Sequence, residues 1–154
     1  MHRSLVSAAV GMVLLTLSLA NCTLVAHDED ISKHPFAGIV SVTLAADIGD
    51  VEWLSADGGT VRLTVVVNYQ NIGAKNIDCK FTALQSSSGY ELFAQFDDAA
   101  RSDDAAAHLL TFTTTATIEA NTQSYTRLLT VQSAVLYQGF PVYNRVDIPI
   151  QAKA

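Results

Sequence analysis

The stretch that most constrains the fold is Thr60–Leu84, which reads TVRLTVVVNYQNIGAKNIDCKFTAL. Leu63, Val65, Val67 and Tyr69 alternate with Arg62, Thr64, Val66 and Asn68. A period of two sends one set of side chains into a core and the other outward, which is the signature of a strand. Asn71, Gly73, Lys75 and Asn76 interrupt the pattern, and Gly and Asn tolerate the positive φ that tight turns require. Alternation then resumes, with Ile77, Cys79, Phe81 and Ala83 on one face and Asp78, Lys80 and Thr82 on the other. The stretch predicts two antiparallel strands joined by a polar turn, a central hairpin on which other strands stack.

Most of the remaining chain reads the same way. Phe36–Leu44 predicts a strand with Val40, Val42 and Leu44 on one parity. Val51-Glu52-Trp53 reads as a short edge strand, with Trp53 as a core plug or edge cover. Tyr90–Phe96, Leu109–Ile118, Tyr125–Val135 and Val142–Ile150 complete the set. Asp97–Ala107 (DDAARSDDAAA) is the exception, and reads as one or two turns of helix or as an acidic surface loop. Pro149 lacks an N–H, which places the last strand at a sheet edge. About seven strands at short spacing, separated by turn signals, predict an all-β fold: an immunoglobulin-like antiparallel β-sandwich.

The N-terminus differs in kind. Met1–Arg3 is short and basic, and Leu5–Ala20 carries no charge. A basic start followed by an apolar run of about 15 residues is the pattern of a secretory signal peptide. Ser18 and Ala20 are small residues suitably placed for cleavage after Ala20. Two alternatives use the same residues. Leu19-Ala20-Asn21-Cys22 resembles a lipoprotein box with Cys22 as the lipidation site, with Asn21 where Gly, Ala or Ser is usual. Leu5–Ala26, retained as a hydrophobic anchor helix, is long enough to span a bilayer, which needs roughly 20 residues. All three readings put the folded part outside the cytoplasm and confine membrane contact to this segment. The chain then divides into 1–20 (signal, or anchor to 26), a polar arm over 21–35 and a β-sandwich domain over 36–154.

The formal charge is −6, and loss of the signal removes only Arg3, leaving 8 basic against 15 acidic residues. Such a chain repels phosphate backbones, so nucleic acid is excluded as a partner. Cys22 and Cys79, the two cysteines, can form a disulfide in an oxidising compartment. The alternative is that Cys79 is a buried thiol acting as a small hydrophobe, since it shares the parity of Ile77 and Phe81.

Residues that carry chemistry are sparse. There is no phosphate-cradling Gly loop, Gly-x-Ser-x-Gly elbow or HExxH. His27 and His34 flank Asp28-Glu29-Asp30 and read as solvated charges on an arm. Asp97, Asp98, Asp103 and Asp104, with His108 nearby, are the metal candidates. Several carboxylates on one loop can bind Ca²⁺ through oxygen ligands, and an acidic solubilising loop is the alternative. His108 with Asp104 resembles a base and its orienter, but the sequence assigns them no nucleophile, and Ser86-Ser87-Ser88 reads as a turn. Thr111, Thr113, Thr115 and Thr117 form one face of their strand, suited to a subunit contact or to solvent.

The run Leu63-x-Val65-x-Val67-Asn68-x-x-Asn71-x-Gly73-Ala74-x-Asn76-Ile77 resembles the core of CARDB-like domains, adhesion-related immunoglobulin-like modules of prokaryotic surface proteins. Ile118-Glu119-Ala120-Asn121, followed by Tyr125–Val131, sits where such domains carry a turn and their next core strand, without the usual Pro or Gly. The resemblance implies a non-enzymatic module that contacts other envelope or surface proteins, or copies of itself. Strand-edge pairing and face packing are the expected means, with the arm His27–Val40 added to a neighbour's open edge. The expectation from another class is a periplasmic or lipid-anchored protein that binds Ca²⁺.

Overall fold

The structure, a computed structural model, describes residues 38–84 and 94–154. The hydrophobic N-terminal segment, the arm to residue 37, Cys22 and the Ser86–Ser88 turn lie outside the described residues. The described chain is all-β and forms two antiparallel sheets packed as a sandwich. Eight strands follow in order: β1 (Ile39–Asp47), β2 (Gly59–Tyr69), β3 (Ile77–Leu84), β4 (Ala94–Phe96), β5 (Ala100–Asp104), β6 (Leu109–Ile118), β7 (Arg127–Tyr137) and β8 (Phe140–Ile150). One sheet runs β1-β2-β6-β4 with β5 also on β6; the other runs β3-β7-β8.

The expected central hairpin is not a hairpin. β2 pairs with β1 and β6, whereas β3 pairs with β7 in the opposite sheet. The polar turn carries the chain from one layer to the other through Asn71 at φ 59° and a single 3₁₀ turn, Ala74–Asn76. Both strands keep their predicted parity, because each buries one face against the same core. Val61, Leu63, Val65 and Val67 are fully buried on β2, as are Val131 and Val135 on β7. Each such side chain contributes about 1.5–3 kcal/mol relative to exposure.

Three other expectations change. Within Asp97–Ala107, Ala100–Asp104 is a strand, because the open edge of β6 offers it a hydrogen-bonding partner that outweighs the helical propensity of alanine. Val51-Glu52-Trp53 is not a strand: Leu54 makes an isolated parallel bridge to Ile150 and plugs the core, while Trp53 is left 40% exposed. On β1, a register shift between Ile39 and Ser41 puts Ile39 inside and leaves Val40 exposed, so a bulge breaks the expected Val40–Val42–Leu44 parity.

The last strands follow expectation. β7 and β8 are joined by a two-residue turn, Gln138-Gly139, with φ 51° and 84°. Positive φ at both positions is the type I′ geometry that matches strand twist. β8 is an edge strand, as Pro149 requires.

The core has two apolar clusters. One gathers around Val65, Val67, Tyr69, Phe112, Val135 and Tyr137; the other around Val61, Leu63, Ile118, Leu129, Ile148 and Ile150. Between them lie buried Thr114, Ser133 and Asn144. Thr114 donates its hydroxyl to the Asp97 carbonyl (2.7 Å), and Asn144 donates to the Val42 carbonyl (3.3 Å), tying β8 to β1.

Candidate interaction surfaces

The four candidate metal carboxylates do not converge. Asp97 lies opposite Thr115 of β6, its amide N–H donating to the Thr115 carbonyl, and Asp103 lies opposite Leu110. Five residues of strand separate these positions, about 17 Å. Asp103 accepts the Tyr69 hydroxyl at 2.7 Å. Asp104 accepts the amides of Ala106 and Ala107 at 3.2 and 3.1 Å, which shapes the β5–β6 turn. Both carboxylates therefore have structural partners. Among the described residues no group of three or more His, Cys, Asp or Glu side chains is placed to hold a metal ion.

His108 ends the same turn at φ 55°. Its ring meets the edge of Tyr69 at 5.7 Å, and its carbonyl accepts the Tyr69 amide. The hydrogen bond to Asp103, followed by burial, raises the Tyr69 hydroxyl above its ordinary pKa. The result is a polar clasp that fastens β5 to β2.

Cys79 is a free thiol within the core, sharing the inward face with Ile77. Burial, reinforced by the Asp78 charge, pushes it up to about 12. A thiol so rarely ionised is a poor nucleophile and metal ligand.

Asn121 is a residue that pattern reading places merely in a turn. It is fully buried. Its Nδ2 donates to the carbonyls of Tyr125 (2.9 Å) and Gln151 (2.8 Å), its Oδ1 accepts the Gln123 amide (3.0 Å), and its own amide donates to the Ala56 carbonyl (2.7 Å). The side chain thus ties the β6–β7 connection to the C-terminal segment, and the main-chain amide of the same residue ties it to the loop before β2. The departure from Pro or Gly in this turn was the only hint in the sequence.

The sheet edges carry devices that obstruct further pairing. On β1 the Val42 carbonyl is taken by Asn144. On β8 Pro141 and Pro149 have no N–H, and Leu54 covers one end by donating to the Pro149 carbonyl (2.8 Å) and accepting from Gln151 (2.9 Å). On β3 the Asp78 carboxylate folds back onto the Cys79 amide (2.8 Å), and the Ile77 amide donates to the Ala74 carbonyl. On β5 two charged side chains, Arg101 and Asp103, face the core side. Of the arm His27–Val40 expected to reach a neighbour, residues up to 37 lie outside the described residues, and Ile39 pairs with Tyr69 of its own sheet.

The two outer faces differ. On the five-stranded sheet, Thr64 stands beside Ala45 and Thr113, and Val66 beside Thr43 and Thr111. The predicted threonine face is therefore present on the outer side of β6. On the three-stranded sheet, Lys80, Ala134 and Tyr143 form one row, Thr82, Gln132 and Arg145 the next, and Leu128 pairs with Pro149 farther along. Leu128 and Tyr143 are each 56% exposed, and Trp53 sits at the rim beside the Leu54 bridge. Arg145 donates to Gln132 at 3.0 Å across this face. No known protein family matches this chain, and no curated protein aligns with it.

Proposed function

We propose that this chain is an exported immunoglobulin-like domain of the cell envelope or surface that works by contact and not by catalysis. Its docking surface is the outer face of the β3-β7-β8 sheet, and its partner is another surface protein or a second copy. The strand order supports the immunoglobulin-like reading. Taking β1, β2, β6 and β4/β5 as A, B, E and D, and β3, β7 and β8 as C, F and G, it is the arrangement of a constant-type domain. The uncharged run after a basic start supports export. The likeness of Leu63–Ile77 to CARDB-like domains supports an adhesive role.

The observation that carries the proposal is the unequal distribution of large apolar groups. Single exposed hydrophobics are ordinary on any surface. Here Leu128 and Tyr143, about 20 Å apart along the strands, share one outer face with Arg145, and Trp53 lies at its rim, while the opposite face offers threonine, alanine, valine and Arg62. Trp, Tyr and Arg are the residues on which binding energy concentrates at interfaces. The obstructed edges favour face packing over strand addition.

The test is a Leu128→Ser/Tyr143→Ser double variant of the full chain. Both side chains are more than half exposed, so unfolding stability should stay within about 1 kcal/mol of wild type. Sedimentation velocity over a concentration series, with and without envelope extract, should give a complex for wild type and none for the variant. Equal behaviour of the two proteins overturns the assignment of this face. Mass spectrometry of the native N-terminus tests the export reading separately.

A further inference from the structure

Strand β5 brings no apolar side chain to the core. All five of its residues are exposed. Its register sets Arg101 opposite Phe112 and Asp103 opposite Leu110, both buried. Directly paired residues share a face of the sheet, so the large β5 side chains on the core side are both charged. Neither enters the core. The Arg101 guanidinium carbon lies 6.0 Å from the centre of the Phe112 ring, and its Nη2 donates to the Ala74 carbonyl at 2.6 Å. Asp103 accepts the Tyr69 hydroxyl at 2.7 Å. Beyond its ladder with β6, β5 is thus held, among the described residues, by two polar hooks, one on the β2–β3 crossover and one on β2.

We propose that β5 is a releasable strap, held shut by the Tyr69–Asp103 and Arg101–Ala74 hydrogen bonds, that opens without unfolding the sandwich and bares the edge of β6. Detaching it breaks a short ladder and two hooks, and water can replace both kinds of bond. Segments with few buried apolar contacts open locally, at a free energy below that of global unfolding. The other outer strands are different. Leaving would cost β1 the burial of Ile39 and Val42, β3 that of Ile77 and Cys79, and β8 that of Ile148 and Ile150. β4 would give up the stacking of Phe96 on Phe81. The bared edge of β6 presents backbone donors and acceptors beside Leu110 and Phe112. An extended segment with apolar residues at alternate positions would fill that edge better than β5 does. This opening is independent of the face assigned above.

Hydrogen exchange of the full chain, resolved over β5, β6 and β7, tests the proposal. Amides of Ala100–Asp104 should exchange roughly a hundredfold faster than those of β7. Tyr69→Phe keeps the ring and removes only the hydroxyl, and should speed β5 exchange roughly tenfold, as loss of a bond to a charged acceptor does. It should leave β7 unchanged, and Arg101→Gln should behave alike. Exchange of β5 together with β7 in wild type overturns the strap. So does a Tyr69→Phe protein whose β5 rate is unaltered, or one in which β5 and β7 accelerate together.

Discussion

Replacing Asn121 by alanine should destabilise this protein more than any other single change at a turn. The side chain makes three hydrogen bonds, to Tyr125, Gln151 and the Gln123 amide, and it is fully buried. Each bond is worth about 1 kcal/mol net, and each partner left buried and unpaired adds its own desolvation cost. Alanine should therefore cost about 3–5 kcal/mol, a large share of the ~5–15 kcal/mol that holds a typical domain. Asn121→Asp separates hydrogen bonding from volume. It has nearly the same shape, but an ionised carboxylate cannot donate to the Tyr125 and Gln151 carbonyls. At pH 7 it should lose at least as much as alanine. Equilibrium urea unfolding, followed by the fluorescence of Trp53 and by far-ultraviolet circular dichroism, measures both. If alanine costs less than about 1 kcal/mol, or if aspartate is tolerated, the claim that Asn121 locks the loop end of the sandwich is wrong.

Other expectations follow from the same geometry. Ser133 is fully buried and its hydroxyl has no partner among the described residues, so Ser133→Ala should be neutral or stabilise by up to about 1 kcal/mol in the same assay. Gly58 has φ 78°, and a Cβ there would strike the Ile118 carbonyl; Gly58→Ala should cost about 2 kcal/mol or more, read as a lower urea midpoint. Alkaline pH should destabilise the fold. The Cys79 thiol has its ordinary value near 9.0 and is pushed up to about 12, so its contribution is complete below pH 9 and is lost as pH rises through 12. Tyr69, also raised, acts in the same direction. Thermal unfolding between pH 8 and 12 should show the decline, and Cys79→Ala should flatten part of it.

How much of this was legible depended on where the information lay. β2, β6, β7 and β8 announce themselves, because each buries one face and period-two alternation is written into its own residues. β5 does not, because the core side of Ala100–Asp104 holds Arg101 and Asp103 where a buried strand would show apolar residues. The bulge at Ile39/Ser41 defeats parity counting, since one extra residue inverts the faces before it. The false hairpin has a more general cause. Two alternating strands joined by a polar turn look the same locally whether they pair or part, and their partners here, β6 and β7, lie some 40 to 60 residues further along. The acidic candidates failed to converge for a related reason: nearness in sequence along an extended strand is distance in space. The proposed docking face was hidden as well. Leu128, Tyr143 and Trp53 are far apart in sequence, and only the β7–β8 register and the Leu54 bridge bring them to one sheet.

Site-specific photocrosslinking in the native cell tests the central claim most directly. A photoreactive phenylalanine analogue placed at Tyr143 or Leu128 should yield a discrete adduct with an envelope protein or with a second copy. The same group at Thr64 or Thr113, on the opposite sheet, should yield none. Adducts confined to the threonine face, or no adduct from any of the four positions, would contradict the assignment of the β3-β7-β8 surface as the one this domain presents to its partner.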